Sequence, residues 1–311
     1  MAKTQKLAED RLTLKNLRKE LPYHVMLLPA VILALIFNYI PMVGIIIAFK
    51  KYSFKLGFFG SPNVGLFYFK RIFTDSTLPT VLLNSVVLGV MSIVFGTVSA
   101  ILFALLLNEI TGLRFKKFIQ TVSYFPHFIS YVTVVVILQA FLTSDGLLNQ
   151  FLLSTGITDN AILFLGEPKY YWWIVTLTGV WQGTGWSAII YISAITGVDP
   201  SMYEAARIDG AGRWKCMWYI TLPAIMPTIC LLLILSIGGI LGVGFDPAML
   251  LANSLTMPRA RVLSYYTYST GIISGDFSYS TALGLVTSIF SAAFTLAGNA
   301  ISRKATGMGL V

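Results

Sequence analysis

The chain has 311 residues, 56% hydrophobic and 11% charged, against roughly a quarter charged in an ordinary soluble domain. That balance excludes a typical soluble enzyme and points to the bilayer. The net charge of +9 would suit nucleic acid, but its distribution along the chain reads as membrane topology and contact with anionic lipid, so no nucleic-acid partner is expected.

Residues 1–24 carry Lys3, Lys6, Arg11, Lys15, Arg18 and Lys19, the pattern of a basic amphipathic helix lying on the inner leaflet. An apolar run follows with no small-residue cleavage site after it, so it reads as a retained anchor. Crossing about 30 Å of hydrocarbon takes about 20 apolar residues. Six runs qualify, near 25–49, 78–107, 118–142, 171–195, 219–245 and 281–302. The predicted fold class is therefore an all-α polytopic membrane protein. It divides into the cytoplasmic segment 1–24, a first span with outer loop over 25–77, a core over 78–302 and a tail over 303–311.

With the N-terminus inside, 14 of the 22 Lys and Arg fall on cytoplasmic segments, satisfying the positive-inside rule with both termini cytoplasmic. The first outer loop runs against that trend: Lys50, Lys51, Lys55, Lys70 and Arg71 all lie there. Its Phe and Tyr residues read as a headgroup-level aromatic belt. In the second run Gly89, Gly96 and Ala100 share spacings that permit close helix packing. The stretch 151–165, interrupted by Gly156, Asp159 and Asn160, reads as an interfacial or re-entrant piece.

The chemistry of several functional classes is missing. No Gly-Lys pair occurs, so the phosphate-cradling loop of a P-loop ATPase is absent. His24 and His127 stand apart and form no zinc motif, and Cys216 and Cys230 suggest neither metal nor disulfide framework. Acidic residues deep in the spans, the usual mark of an ion-coupled relay, are lacking. A chain that moves solute uphill with this inventory needs a partner to supply the work.

Between the fourth and fifth runs lies the polar insert Asp199–Pro223. Asp199-Pro200-Ser201 is a helix-start signal, and Ser201 with Glu204 fits a capping box. A short helix over Met202–Asp209 is predicted, stopped by Gly210 and Gly212, with Glu204 and Arg207 one turn apart as an ion pair. Taken alone, the insert is also compatible with an ordinary interfacial helix.

The spacing Glu204-Ala205-Ala206, three residues, Gly210, nine residues, Ile220-x-Leu222-Pro223 resembles the EAA loop of the permease subunits of binding-protein-dependent ABC importers. Further stretches, WQGTGWSAIIYISAITGVDPSMYEAARIDGAG among them, look like the carbohydrate-uptake branch. The opening YHVMLLPAVILALIFNYIPMVGIIIAFKKYSF is similar to the lipoprotein- and polysaccharide-uptake permeases. The resemblance implies the type I permease fold with a cytoplasmic coupling helix over Glu204–Gly212. Glu204, Ala205, Ala206, Arg207, Asp209, Gly210 and Gly212 then dock into a cytoplasmic ATPase dimer, which binds the ATP and Mg; this chain binds no cofactor and is not an enzyme. It further implies a second, non-identical permease, an extracellular solute-binding protein and the bacterial plasma membrane. The cargo is expected to be a carbohydrate, an oligosaccharide, moved by alternating access. The alternatives are a permease for a non-sugar solute, and an intramembrane enzyme or scaffold.

The family's pocket places three candidate stretches along the substrate path. Ser123, Tyr124 and His127 flank a proline break, where His127 reads either as a pocket group or as a packing group bonded to a backbone carbonyl. Gln182, Gly183 and Trp186 offer amide and indole donors beside glycines, in a region that also fits an interface anchor. Gly239 and Gly242, with Gly238 and Gly244, replace the polar pocket residues of related permeases, which implies a wider cavity or close helix packing.

Overall fold

The computed structural model describes residues 14–307 and 309, with side chains from residue 21 onward except 305 and 306. Lys3, Lys6 and Arg11 lie outside the described residues, and so do the side chains of Lys15, Arg18 and Lys19. All regular structure among the described residues is helical; the only extended pairing is a single bridge between Lys50 and Asn63.

The first helix, Leu14–Ala34, passes through residue 24 without interruption, so the basic segment and the first span are one rod there and not two elements. It continues through a π-helical turn, Leu35–Tyr39, and a 3-10 stretch, Ile40–Phe49. Pro41 explains the change of pitch, because it has no N–H to donate and its ring crowds the preceding turn. The second span is the unbroken 31-residue helix Leu78–Asn108, about 47 Å long at 1.5 Å per residue.

Among the described residues four helical segments are long and apolar enough to cross a bilayer: Leu21–Phe49, Leu78–Asn108, Tyr131–Ser154 and Phe277–Lys304. A fifth crossing is a pair, Arg213–Ala224 and Met226–Gly238, bent by 57°. The 29-residue helix Pro168–Thr196 has the length of a sixth, with the less apolar run from Gln182 to Ser187 in its second half. It packs along the second span.

Two expected spans need correction. The run 118–142 is not one helix: Leu113–Tyr124 ends in a 3-10 turn, Phe125–Phe128, and Tyr131–Leu142 starts afresh with Ser130 accepting from the Thr133 amide. Pro126 causes the break. The apolar crossing that results extends to Ser154, taking in the start of the stretch expected to be interfacial. The run 219–245 is not one helix either: it ends at Gly238, passes through a 3-10 turn, Ile240–Gly242, and Gly244 at φ +80° turns the chain into a new short helix, Phe245–Leu250. Its bend at Ile225 lies between Pro223 and Pro227 and follows a π-helical turn, Met217–Thr221.

In lipid, apolar side chains gain little by meeting one another, so close backbone approach and hydrogen bonds hold the bundle. A Cβ at Gly89 would lie 2.3 Å from Ile240, one at Gly185 2.2 Å from the Ser123 carbonyl oxygen, and one at Gly238 2.2 Å from Thr295 Oγ1. Each glycine therefore marks a helix crossing. At the end of the bundle where the second span begins, Asp75 accepts from the phenols of Tyr266 (2.6 Å) and Tyr279 (2.5 Å). Arg71 pairs with Asp276 at 2.6 Å and lies over the Tyr279 ring. Together they fasten the first loop to the last helix.

Candidate functional site

At the opposite end, the short helix is Pro200–Ile208. Asp199 is its N-cap, accepting from the Ser201 amide at 2.9 Å, so the expected box between Ser201 and Glu204 is not what closes the terminus. That carboxylate is held below its ordinary range by the Ser201 amide. The helix stops by the predicted glycine: Gly210 has φ +76°, its amide bonds to the Arg207 carbonyl and the Ala211 amide to the Ala206 carbonyl. This is a Schellman ending, which a side chain at residue 210 would strain.

The expected ion pair is absent, since Glu204 and Arg207 do not approach within salt-bridge distance. Both are exposed and line one cavity of about 690 Å³ with Asn108, Glu109, Tyr203 and Arg213. Ala205 and Asp209 are exposed and Ala206 is half-buried, while no heavy atom lies near the Cβ positions of Gly210 and Gly212. Ile208, 87% exposed at the helix end, has no apolar cover. A residue that the motif did not single out, Tyr203, joins its hydroxyl to Thr221 Oγ1 at 3.0 Å and so ties this helix to the bent fifth span.

The three candidate stretches for the path come together only in part. A groove of about 630 Å³ runs between the second span, the Pro168–Thr196 helix and Met226–Gly238, and Trp186 and Gly239 both line it. His127 lies outside that lining, but its ring stacks on Trp186 at 4.5 Å with planes 4° apart. It is exposed, and the carbonyl bond of the packing alternative is not formed: its ring contacts are the stack on Trp186 and an edge contact with Phe128. Ser123 and Tyr124 sit on the turn before the break; the Ser123 carbonyl packs against Gly185.

Gln182 is not a free donor. Its amide bonds to the Ile129 carbonyl at 2.9 Å and closes the proline break onto the Pro168–Thr196 helix. Gly183 and Gly242 face open space and neither lines the groove. Four polar groups that sequence reasoning passed over, Ser92, Thr97, Ser187 and Ser236, do line it. Single hydroxyls scattered through apolar runs gave no signal, because only the packing brings them to one wall.

Comparison with known proteins gives a coherent picture. A family model described as "Binding-protein-dependent transport system inner membrane component" matches residues 92–307. The polygalacturonan/rhamnogalacturonan transport system permease protein YteP of Bacillus subtilis is 42% identical over 301 residues, covering 96% of this chain and 93% of its own. Protein LplB of the same organism is 40% identical over 295 residues, covering 94% and 92%. A chain in the crystal structure of a bacterial alginate ABC transporter, in complex with a periplasmic protein carrying an alginate pentasaccharide, superposes with a TM-score of 0.85 at 34% identity. That match covers 95% of this chain and 99% of the other. The expected all-helical permease fold is borne out, and so is the likeness to the polysaccharide-uptake branch.

Proposed function

This chain belongs to the family of inner membrane components of binding-protein-dependent transport systems, a transport subunit and not an enzyme, and we propose that the cargo it passes is an oligosaccharide. The substrates for which these relatives are named, polygalacturonan and alginate, are chains of sugars. The aromatic faces of His127 and Trp186 beside a groove with four Ser and Thr hydroxyls match the two surfaces of a sugar ring, one apolar and one hydrogen-bonding.

In this reading the helix Pro200–Ile208 is the coupling helix. A cytoplasmic ATPase dimer, which holds the ATP and Mg, takes up its exposed face at Glu204, Ala205, Arg207 and Asp209, with Gly210 and Gly212 allowing close approach. A second, non-identical permease completes the path, and an extracellular binding protein delivers the sugar. Both termini are cytoplasmic in the bacterial plasma membrane. Closure of the ATPase pushes the coupling helix, and the Tyr203–Thr221 bond passes the displacement to the bend of the fifth span, which borders the groove. Such a device transmits work only while the helix stays engaged in both states.

The observation that carries this reading is the coupling helix itself: capped at both ends, unpaired on its outer face and bonded to a bent span. The test is ATP turnover by the complete complex in proteoliposomes, challenged in turn with oligosaccharides, amino acids and phosphate. Stimulation by an oligosaccharide with its binding protein is expected; stimulation by another solute class alone would replace the cargo assignment.

A further inference from the structure

The first outer loop and the loop before the last helix hold seven Lys and Arg, an excess that membrane topology does not account for. Most are plainly engaged or solvated: Lys50 donates to the Phe59 carbonyl, Arg71 pairs with Asp276, and Arg259 lies 4.1 Å over the Trp172 ring. Arg261 differs. It is half-buried, and among the described residues its guanidinium has neither an acceptor nor an aromatic face.

Arg261 lines a cavity of about 350 Å³ with Thr77, Thr80 and Ser254 at the beginning of the second span, within the roughly 300–1,000 Å³ of small-molecule pockets. The second span's other end borders the coupling helix, so this pocket lies at the far mouth of the bundle. The segment that carries Arg261 is fixed. Asn84, fully buried, donates to the carbonyls of Pro258 (2.9 Å) and Arg261 (3.0 Å), and Ser85 accepts from the Leu263 amide at 2.7 Å. The Asn253 side chain accepts the Leu255 and Thr256 amides, and Trp172 donates to the Arg259 carbonyl. Asp75, the carboxylate nearest in sequence to the lining threonines, is occupied by Tyr266 and Tyr279 and leaves Arg261 uncompensated.

A guanidinium remains charged at every physiological pH, and its planar fork matches a carboxylate in two parallel hydrogen bonds. The hydroxyls of Thr80 and Ser254, unengaged by any described residue, supply partners for the ring hydroxyls beside such a carboxylate. We propose that Arg261 with Thr80 and Ser254 forms an entry subsite for the carboxylate of a uronate unit, so that the oligosaccharide this permease takes is acidic. The inference rests on the oligosaccharide reading above. It assigns a substrate class and a specificity-determining residue to the outer mouth, separate from the groove that Trp186 lines.

The experiment is uptake into proteoliposomes holding the complete complex and its binding protein, made with wild type, Arg261→Gln and Arg261→Lys. Each is offered oligogalacturonate and the same oligosaccharide with its carboxylates methyl-esterified, in zwitterionic and in anionic lipid. One binding protein serves all three permeases, so any difference among them belongs to this chain. Wild type should take the acidic form. Arg261→Gln should lose about tenfold of that uptake, the scale of one charge-assisted contact, and Arg261→Lys should recover part of it, in both lipids. Equal handling of oligogalacturonate by wild type and Arg261→Gln would overturn the subsite and leave the importer reading standing. So would a wild type that carries only the ester, or a defect seen only in anionic lipid, which would make the ligand a headgroup. Failure of every saccharide would overturn the oligosaccharide reading and this inference with it.

Discussion

The hydroxyl of Tyr203 lies 3.0 Å from Oγ1 of Thr221, joining the Pro200–Ile208 helix to the turn that precedes the 57° bend of the fifth span. Tyr203→Phe keeps the ring and removes the bond. A loss of about 1 kcal/mol is expected, about fivefold in the population of the engaged arrangement. Sugar moved per ATP hydrolysed should fall while ATPase binding persists; an unchanged ratio would show that the bond carries no coupling.

Gly210 holds φ +76° in the helix ending. A β-branched residue there should cost about 1–2 kcal/mol in local strain and shift Gly212 and Arg213 away from the face proposed to meet the ATPase. Glu204→Lys reverses an exposed charge without strain. Both variants should insert normally and recover less ATPase on purification, and uptake should fall with the recovery. Normal uptake by both would remove the coupling assignment.

Gln182 and His127 separate two roles that look alike in one dimension. Gln182→Leu leaves the Ile129 carbonyl without its donor, at a cost of about 1–3 kcal/mol, and should lower the thermal stability of the purified chain. His127→Ala removes an exposed stacked ring and should raise the sugar concentration needed for half-maximal uptake several-fold with little change in melting temperature. The opposite pattern would exchange the two roles.

Asp75 gives the account a pH dependence. Burial works against its charge, but the phenols of Tyr266 and Tyr279 and the Thr77 amide outweigh it, so the carboxyl is held below its ordinary range. A carboxyl depressed in the folded state contributes stability above its unfolded value, about pH 4, and loses it as pH falls through the folded value. Melting temperature should therefore be flat around neutrality and drop in acid. Asp75→Asn should lower it at neutral pH and flatten the acid slope; an unaltered slope would place the acid sensitivity elsewhere.

The apolar runs were legible because about 20 lipid-facing residues leave a compositional trace whatever their packing. The ends of the Pro200–Ile208 helix were legible too: Asp199, Pro200 and Gly210 act through local backbone chemistry. The capping box was not formed, because Asp199 reached the Ser201 amide and the helix began earlier at Pro200. The break at Pro126 was visible as a proline but not as the end of a helix, since its closure depends on Gln182, 53 residues from Ile129. Arg261 escaped notice for the same reason. Only the strap from Asn84 and Ser85 sets it beside Thr77 and Thr80.

The most direct test of the central claim is purification of the tagged chain from its native membrane, with its partners identified by mass and the product assayed for ATP hydrolysis. Recovery of an ATPase and a second polytopic permease, in a complex that hydrolyses ATP and is stimulated by a loaded binding protein, is the predicted result. Recovery of the chain alone, inert toward ATP, would contradict the assignment of Pro200–Ile208 as a helix that an ATPase engages.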